Sequence, residues 1–134
     1  MSSFIIAYIT TLIPMLVIDA VWLTTMAPRL YRAYIGHLLA DTPKFGPAAL
    51  FYALYALGIT LFVVLPGIQE KQSLVKICMH GGLFGLIAYA TYDLTNHATL
   101  KNWPATITII DLIWGTLLTA TVSLIAVSII KLWQ

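Results

Sequence analysis

Three aspartates lie inside hydrophobic runs of the chain, and they are the residues whose type and position could do chemistry. Asp19, Asp93 and Asp111 are each surrounded by apolar residues over a stretch long enough to enter a membrane. A carboxyl group at membrane depth is costly, so an acid found there marks a functional site by default. Neighbouring carboxyl groups titrate as a coupled set, which suits proton transfer or acid–base catalysis. We therefore predict a site built around these three candidate catalytic acids.

Each acid also admits a structural interpretation. An intramembrane aspartate can cap a helix, pair with a basic residue, or accept hydrogen bonds from Tyr and Trp. Asp93 lies near the end of its run, where capping and function explain it equally well. Asp19 and Asp111 lie deeper, and Trp22 and Trp114 follow them by three residues. Because residues three apart share a helix face, each deep acid has an aromatic neighbour, and this favours function.

The elements that position these acids are predicted to be membrane-spanning helices. Of the 134 residues, 60% are hydrophobic and 9% are charged, whereas roughly a quarter of residues are charged in soluble domains. A spanning helix needs about 20 mostly apolar residues, and the runs at about 4–25, 48–65, 74–95 and 105–130 qualify. We predict an all-α fold, an integral membrane bundle of four transmembrane helices forming one domain over residues 1–134. The net charge of +2 is too small to indicate nucleic-acid binding.

The order of the four runs brings the acids to one side of the membrane. Four spans put both termini on the same side, and the first and last connections on the opposite side. Asp19 and Asp111 then lie about six residues, roughly 9 Å, from helix ends on the connection side. The connection side has one more Lys or Arg residue than the side with the termini. Because the cytoplasmic side usually carries more of these residues, this weakly favours periplasmic termini. The residues compared are Arg29, Arg32, Lys44 and Lys101 against Lys71, Lys76 and Lys131.

The first connection is predicted to contain a short helix of its own. Pro28 suits a first helical position, and the pattern continues to about Ala40. Leu30, Ile35 and their apolar neighbours fall on one face, which is typical of a helix lying in the membrane interface. The alternative is a simple extension of the first span beyond the bilayer.

A stripe of small and polar residues predicts which side of the third helix faces protein. Gly81, Gly85, Tyr89 and Asp93 recur every four residues and so lie on one face. Two glycines four apart allow another helix to approach closely. Tyr89 and Asp93 are therefore predicted to face the interior of the bundle.

Two tyrosines on the second helix fit either of two roles. Tyr52 and Tyr55 are three residues apart and near the connection side. They line the same cavity as the acids, or they belong to an interfacial aromatic belt with Trp103 and Phe45.

A five-residue pattern occurs twice in the chain. Ile18–Trp22 in the first helix matches Ile110–Trp114 in the fourth, with the two helices running in opposite directions. An inverted repeat of the kind found in transporters would produce such a match, and so would chance.

The chain resembles a family of small bacterial inner-membrane proteins, domain-of-unknown-function family 2177. The resemblance is carried by the run from Tyr89 to Asn96, by Trp103-Pro104 and by the start of the fourth helix. The resemblance covers nearly the whole chain. It implies a multi-pass protein of the bacterial inner membrane and brings no established activity. His97 stands where the family usually has an apolar residue, which argues against a family-wide role for it.

The resemblance also implies a set of site residues. Its motif positions are Asp19, Trp22, Tyr89, Tyr92, Asp93, Thr95, Asn96, Lys101, Asp111 and Trp114. Asn96 also suits a left-handed cap at the end of the third helix. Lys101 suits a pair with Asp93, or hydrogen bonds to the last carbonyls of that helix.

Three functions fit these observations. The first is a pocket that binds or modifies a membrane lipid or other lipophilic small molecule, with the aspartates as anchors or acid–base groups and Tyr and Trp as walls. The second is a role as accessory subunit of a larger membrane complex. The third is a proton-coupled transporter, which would need a homodimer, formed through Gly81 and Gly85. No set of residues has metal-ligand spacing, so no metal is predicted. No cofactor is identified, and an enzyme is not separated from a binding protein.

Overall fold

The computed structural model describes residues 2–134, and the regular secondary structure in that range is helical. Four helical segments are long and apolar enough to cross a membrane: Ser3–Leu38, Phe45–Gln69, Leu74–Thr99 and Ala105–Trp133. The predicted all-α membrane fold with four spans is therefore confirmed.

The first span changes pitch near its end. Helix α1 (Ser3–Met26) is followed by a wide, π-helical turn at Ala27–Tyr31, the short helix α2 (Arg32–Ile35) and a 3₁₀ turn at Gly36–Leu38. The residues predicted to form a separate helix from near Pro28 are helical, but they continue α1 without a loop, as in the alternative of an extended first span.

Part of the apolar face of this continuation packs against protein. Leu30 and Ile35 are buried in a small cluster with Trp103 and Ile107, which belong to the last connection and the start of the fourth span. The first and last connections therefore lie at the same end of the bundle.

The second span also contains a wide turn. Helix α3 (Phe45–Ile59) leads through a π-helical turn at Thr60–Val64 into helix α4 (Leu65–Gln69). The span therefore runs past Pro66, where the sequence predicted it to stop. Pro66 lies directly after the wide turn, and a widened turn accommodates a proline inside a helical segment.

The third span is longer than predicted. Helix α5 (Leu74–Thr99) begins at Ser73, whose hydroxyl accepts a hydrogen bond from the backbone N–H of Lys76 at 3.2 Å. The Leu100 N–H still bonds the Asn96 carbonyl at 2.8 Å, so the prediction that Asn96 ends this helix is wrong. The chain reverses later, at Asn102, which has a positive φ of 59° that asparagine tolerates well.

Helices α5 and α6 (Ala105–Trp133) form the most extensive helix pair, and α1 packs against α6 and α3. Glycines allow helices α5 and α6 to approach each other closely. Cβ atoms added at Gly81 and Gly85 would collide with α6, and one added at Gly115 would collide with the Tyr89 ring. The close approach predicted for Gly81 and Gly85 is thus made within the chain, and these glycines are not free to form the dimer interface considered for a transporter.

Candidate functional site

A cavity of about 430 Å³ lies among the four spans and contains two of the three aspartates. Asp19 comes from α1, Asp111 from α6, and both side chains are buried. The full lining is Asp19, Trp22, Leu23, Tyr31, Phe51, Tyr52, Ala88, Tyr89, Tyr92, Asp111 and Trp114. The wall therefore combines two carboxyl groups with seven aromatic side chains.

Asp19 ties three helices together. Its Oδ1 accepts a hydrogen bond from Trp114 Nε1 of α6 at 3.0 Å. Its Oδ2 accepts a hydrogen bond from the hydroxyl of Tyr52 of α3. Both oxygens of this carboxyl group are thus satisfied by neutral donors.

Asp111 is held by the wide turn after α1. The Tyr31 hydroxyl donates to Asp111 Oδ1 and accepts a hydrogen bond from Trp22 Nε1 at 3.2 Å. Tyr31 reaches this position because the backbone stays helical beyond Pro28 and turns the ring back toward α6.

The two matching segments of α1 and α6 make reciprocal contacts. Trp114 follows Asp111 but bonds Asp19, and Trp22 follows Asp19 but reaches Asp111 through Tyr31. The indole rings stack between the helices, with centroids 4.1 Å apart and planes 8° from parallel. The repeated Asp-x-x-Trp pattern therefore builds one paired arrangement.

The stacked tryptophans also form a partition. Trp22 and Trp114 line the cavity with the carboxyl groups on one side and an apolar groove of about 470 Å³ on the other. Val17 and Val21, both exposed on the outer face of α1, contribute to that groove. The indole pair thus separates the carboxyl groups from the groove on the outer face of α1.

Asp93 lies beside the cavity, outside its lining. Its side chain is fully buried, and within residues 2–134 neither of its carboxyl oxygens has a hydrogen-bond partner. Asp93 lies close enough to Asp111 for the two carboxyl groups to interact. The predicted pairing of Asp93 with Lys101 is absent from the part of the chain described, where Lys101 is exposed in the last connection.

The structure separates the predicted site residues into two groups. Those that line the cavity are Asp19, Trp22, Tyr52, Tyr89, Tyr92, Asp111 and Trp114. Tyr55 lies behind the wall, where its hydroxyl bonds Thr119 Oγ1 at 2.6 Å. Thr95 is exposed and donates to the Thr91 and Tyr92 carbonyls at 2.5 and 2.9 Å. Asn96 lies within helix α5, before its last residue, and does not line the cavity.

Four lining residues were not among the predicted site residues. Tyr31 lies in the short helix predicted between the first two spans, and Phe51 precedes Tyr52 on the second span. Leu23 and Ala88 are apolar residues in apolar runs, and such residues do not indicate a site from sequence alone. Tyr31 lies nine residues after Trp22, a spacing that puts the two side chains on opposite faces of a regular helix, so helical period gives no signal for it.

The arrangement can anchor and orient a ligand. Within residues 2–134, no three His, Cys, Asp or Glu side chains are grouped to hold a metal ion. The carboxyl groups can accept hydrogen bonds, exchange protons or balance a positive charge, and the aromatic rings offer flat apolar surface.

Removal of the Tyr55 hydroxyl should have only a small effect, because Tyr55 supports the wall from behind. We expect Tyr55→Phe to lower the free energy of unfolding by about 1 kcal/mol, the usual contribution of one neutral hydrogen bond. The matched change Tyr52→Phe removes a donor to Asp19 and should cost about 2 kcal/mol, since bonds to carboxylates are stronger. Unfolding in mixed micelles, followed by circular dichroism, measures both. A larger loss for Tyr55→Phe would contradict this assignment.

Comparison with known proteins gives one match. Residues 4–128 match the model of a family described as "Predicted membrane protein (DUF2177)". No curated protein matches the chain, and no solved structure does. The family match extends into all four spans and includes both carboxyl groups of the cavity, and it agrees with the resemblance found in the sequence. The chain therefore belongs to the DUF2177 family of predicted membrane proteins.

Proposed function

We propose that this membrane protein binds a lipophilic small molecule in the cavity between its four spans. The observation that carries the proposal is the lining itself, in which two buried carboxyl groups are surrounded by seven aromatic side chains. Ligand sites are typically concave, mostly apolar, and equipped with a few polar groups that fix orientation. The volume of about 430 Å³ falls within the usual range for such sites, about 300–1,000 Å³.

Asp19 and Asp111 act in this proposal as the polar anchors. Their hydrogen bonds to Tyr52, Trp114 and Tyr31 hold the carboxyl groups in place before a ligand arrives. A preorganised site loses less entropy on binding. Membrane lipid is the medium from which such a ligand would enter. We place the protein in the bacterial inner membrane, with periplasmic termini favoured by the distribution of Lys and Arg.

A variant that fills the cavity tests this function. Ala88 contributes its small side chain to the lining, so Ala88→Phe should occupy the space and reduce copurifying ligand to about a tenth or less, as loss of about 1.4 kcal/mol would. Native mass spectrometry of protein extracted gently from its own membrane measures the bound species and its mass.

The matched control is the same substitution on the outside of the bundle. Ala20 is exposed on α1, and Ala20→Phe should leave ligand occupancy unchanged. Equal occupancy in wild type and Ala88→Phe would overturn the proposal. A retained protein subunit with no small molecule would favour an accessory role instead.

A further inference from the structure

The charges around the cavity are unbalanced. Asp19 and Asp111 line it, Asp93 is buried next to Asp111, and the lining includes no Lys, Arg or His. The hydrogen-bond donors on the two lining carboxyl groups are Tyr hydroxyls and an indole N–H, which carry no charge. The basic residues nearest along the chain to the lining and to Asp93, which are Arg29, Arg32 and His97, are exposed. A buried carboxylate is stable only when it is paired or neutralised, and no basic side chain of the described lining can pair with these two.

The aromatic residues supply the second half of a cation site. Seven aromatic side chains surround the same space, among them Tyr52, Tyr89 and the stacked Trp22 and Trp114. The face of an aromatic ring carries negative electrostatic potential and attracts a cation, more strongly where water is excluded. Aromatic walls with a carboxylate form the arrangement that recognises ammonium groups. An anionic headgroup, by contrast, would meet carboxyl groups with no base to receive it.

We propose that the ligand of this cavity is an amphiphilic cation, an ammonium group carried on an apolar chain. This inference rests on the proposed binding function and narrows its ligand class. The ammonium group lies between Asp19 and Asp111, and the aromatic rings enclose it. The ammonium comes either from a lipid headgroup or from a free amphiphilic amine.

Three probes of equal chain length test the charge of the ligand. Decyltrimethylammonium, decanol and decanoate are titrated into the full-length protein in an uncharged maltoside detergent, and binding is followed by calorimetry. The Ala88→Phe variant gives the background from partition into micelles. We expect the cation to bind at least about 10-fold more tightly than the alcohol, and the carboxylate not to bind above background.

Two substitutions test whether Asp19 and Asp111 cause the preference for the cation. Asp19→Asn and Asp111→Asn keep the side-chain size and remove the charge, so each should abolish the 10-fold preference for the cation. Size-exclusion chromatography and thermal unfolding confirm that the variants are folded. Competition by a diacyl phosphatidylethanolamine would identify a lipid headgroup as the source of the ammonium group, and its failure would identify a free amine.

The outcomes separate this inference from the proposed function. If wild type binds decanol and the cation equally well, and Ala88→Phe binds neither, the proposal of a cationic ligand is overturned and the proposal of a binding pocket stands. Cation preference that survives both Asp→Asn changes would also overturn it. Binding of every probe at the Ala88→Phe background would overturn the pocket itself.

Discussion

Replacement of Gly85 by alanine should lower the free energy of unfolding by about 3 kcal/mol or more, the upper range for overpacking a core. A Cβ atom at Gly85 would overlap the Gly115 carbonyl oxygen and lie 2.6 Å from Thr119 Oγ1. A backbone carbonyl cannot rotate away as a side chain can, so α5 and α6 must separate. Separation also moves Tyr89 and Asp111, which line the cavity from these two helices. Reversible unfolding in mixed micelles measures the loss.

The neighbouring position Gly82 provides the control. It is also buried on α5, but an added Cβ would meet its nearest atom, the Thr116 methyl carbon, at 3.4 Å, close to ordinary contact. Gly82→Ala should therefore be neutral, or stabilising by up to about 1 kcal/mol through better helix propensity. Similar losses at both positions would show that any side chain on this face is harmful, and would contradict the specific collision at Gly85.

The packing of the third span could be predicted from sequence because it depends only on helical period. Gly81, Gly85, Tyr89 and Asp93 are spaced by four residues, and the structure turns all of them toward protein. The same reasoning placed Trp22 beside Asp19. A regular helix fixes which side chains share a face, so the prediction needed no knowledge of the partner helix.

The position of Tyr31 could not be predicted in this way. Tyr31 is the last residue of a wide turn, which holds more residues than a regular helical turn and so rotates the Tyr31 side chain relative to the helix before it. The sequence shows Pro28 but not the pitch of the turn around it. Cross-helix contacts such as that from Trp114 to Asp19 likewise depend on how four helices pack, which local patterns do not specify.

Polar residues near the end of α5 illustrate a different limit. The resemblance implies a place in the site for Thr95, a polar motif residue two positions after Asp93. In the structure its hydroxyl bonds carbonyls of its own helix, a common arrangement for threonine in a helix. Polarity alone therefore does not distinguish a site residue from one that satisfies its own backbone.

Replacement of Asp93 by asparagine should make the protein more stable. Asp93 is fully buried, and neither of its carboxyl oxygens has a partner in the described residues. A buried polar group without a partner costs about 1–3 kcal/mol, and more when it is charged. The introduced side-chain amide would donate to the neighbouring carboxyl group of Asp111, so we expect Asp93→Asn to raise the free energy of unfolding by about 1–3 kcal/mol. Reversible unfolding in mixed micelles measures the gain.

The same substitution at Asp19 should have the opposite sign, and the comparison distinguishes structure from function. Both oxygens of Asp19 already accept hydrogen bonds, from Tyr52 and Trp114, so Asp19→Asn weakens a satisfied network and should lower the free energy of unfolding by about 1 kcal/mol. A loss at both positions would mean that Asp93 has a structural partner, such as a bound water molecule. A gain at Asp93 alone would mean that the chain keeps this acid at the expense of stability. Such a cost is expected of a group that works with Asp111 in binding, because polar groups left unsatisfied inside proteins concentrate at sites of function.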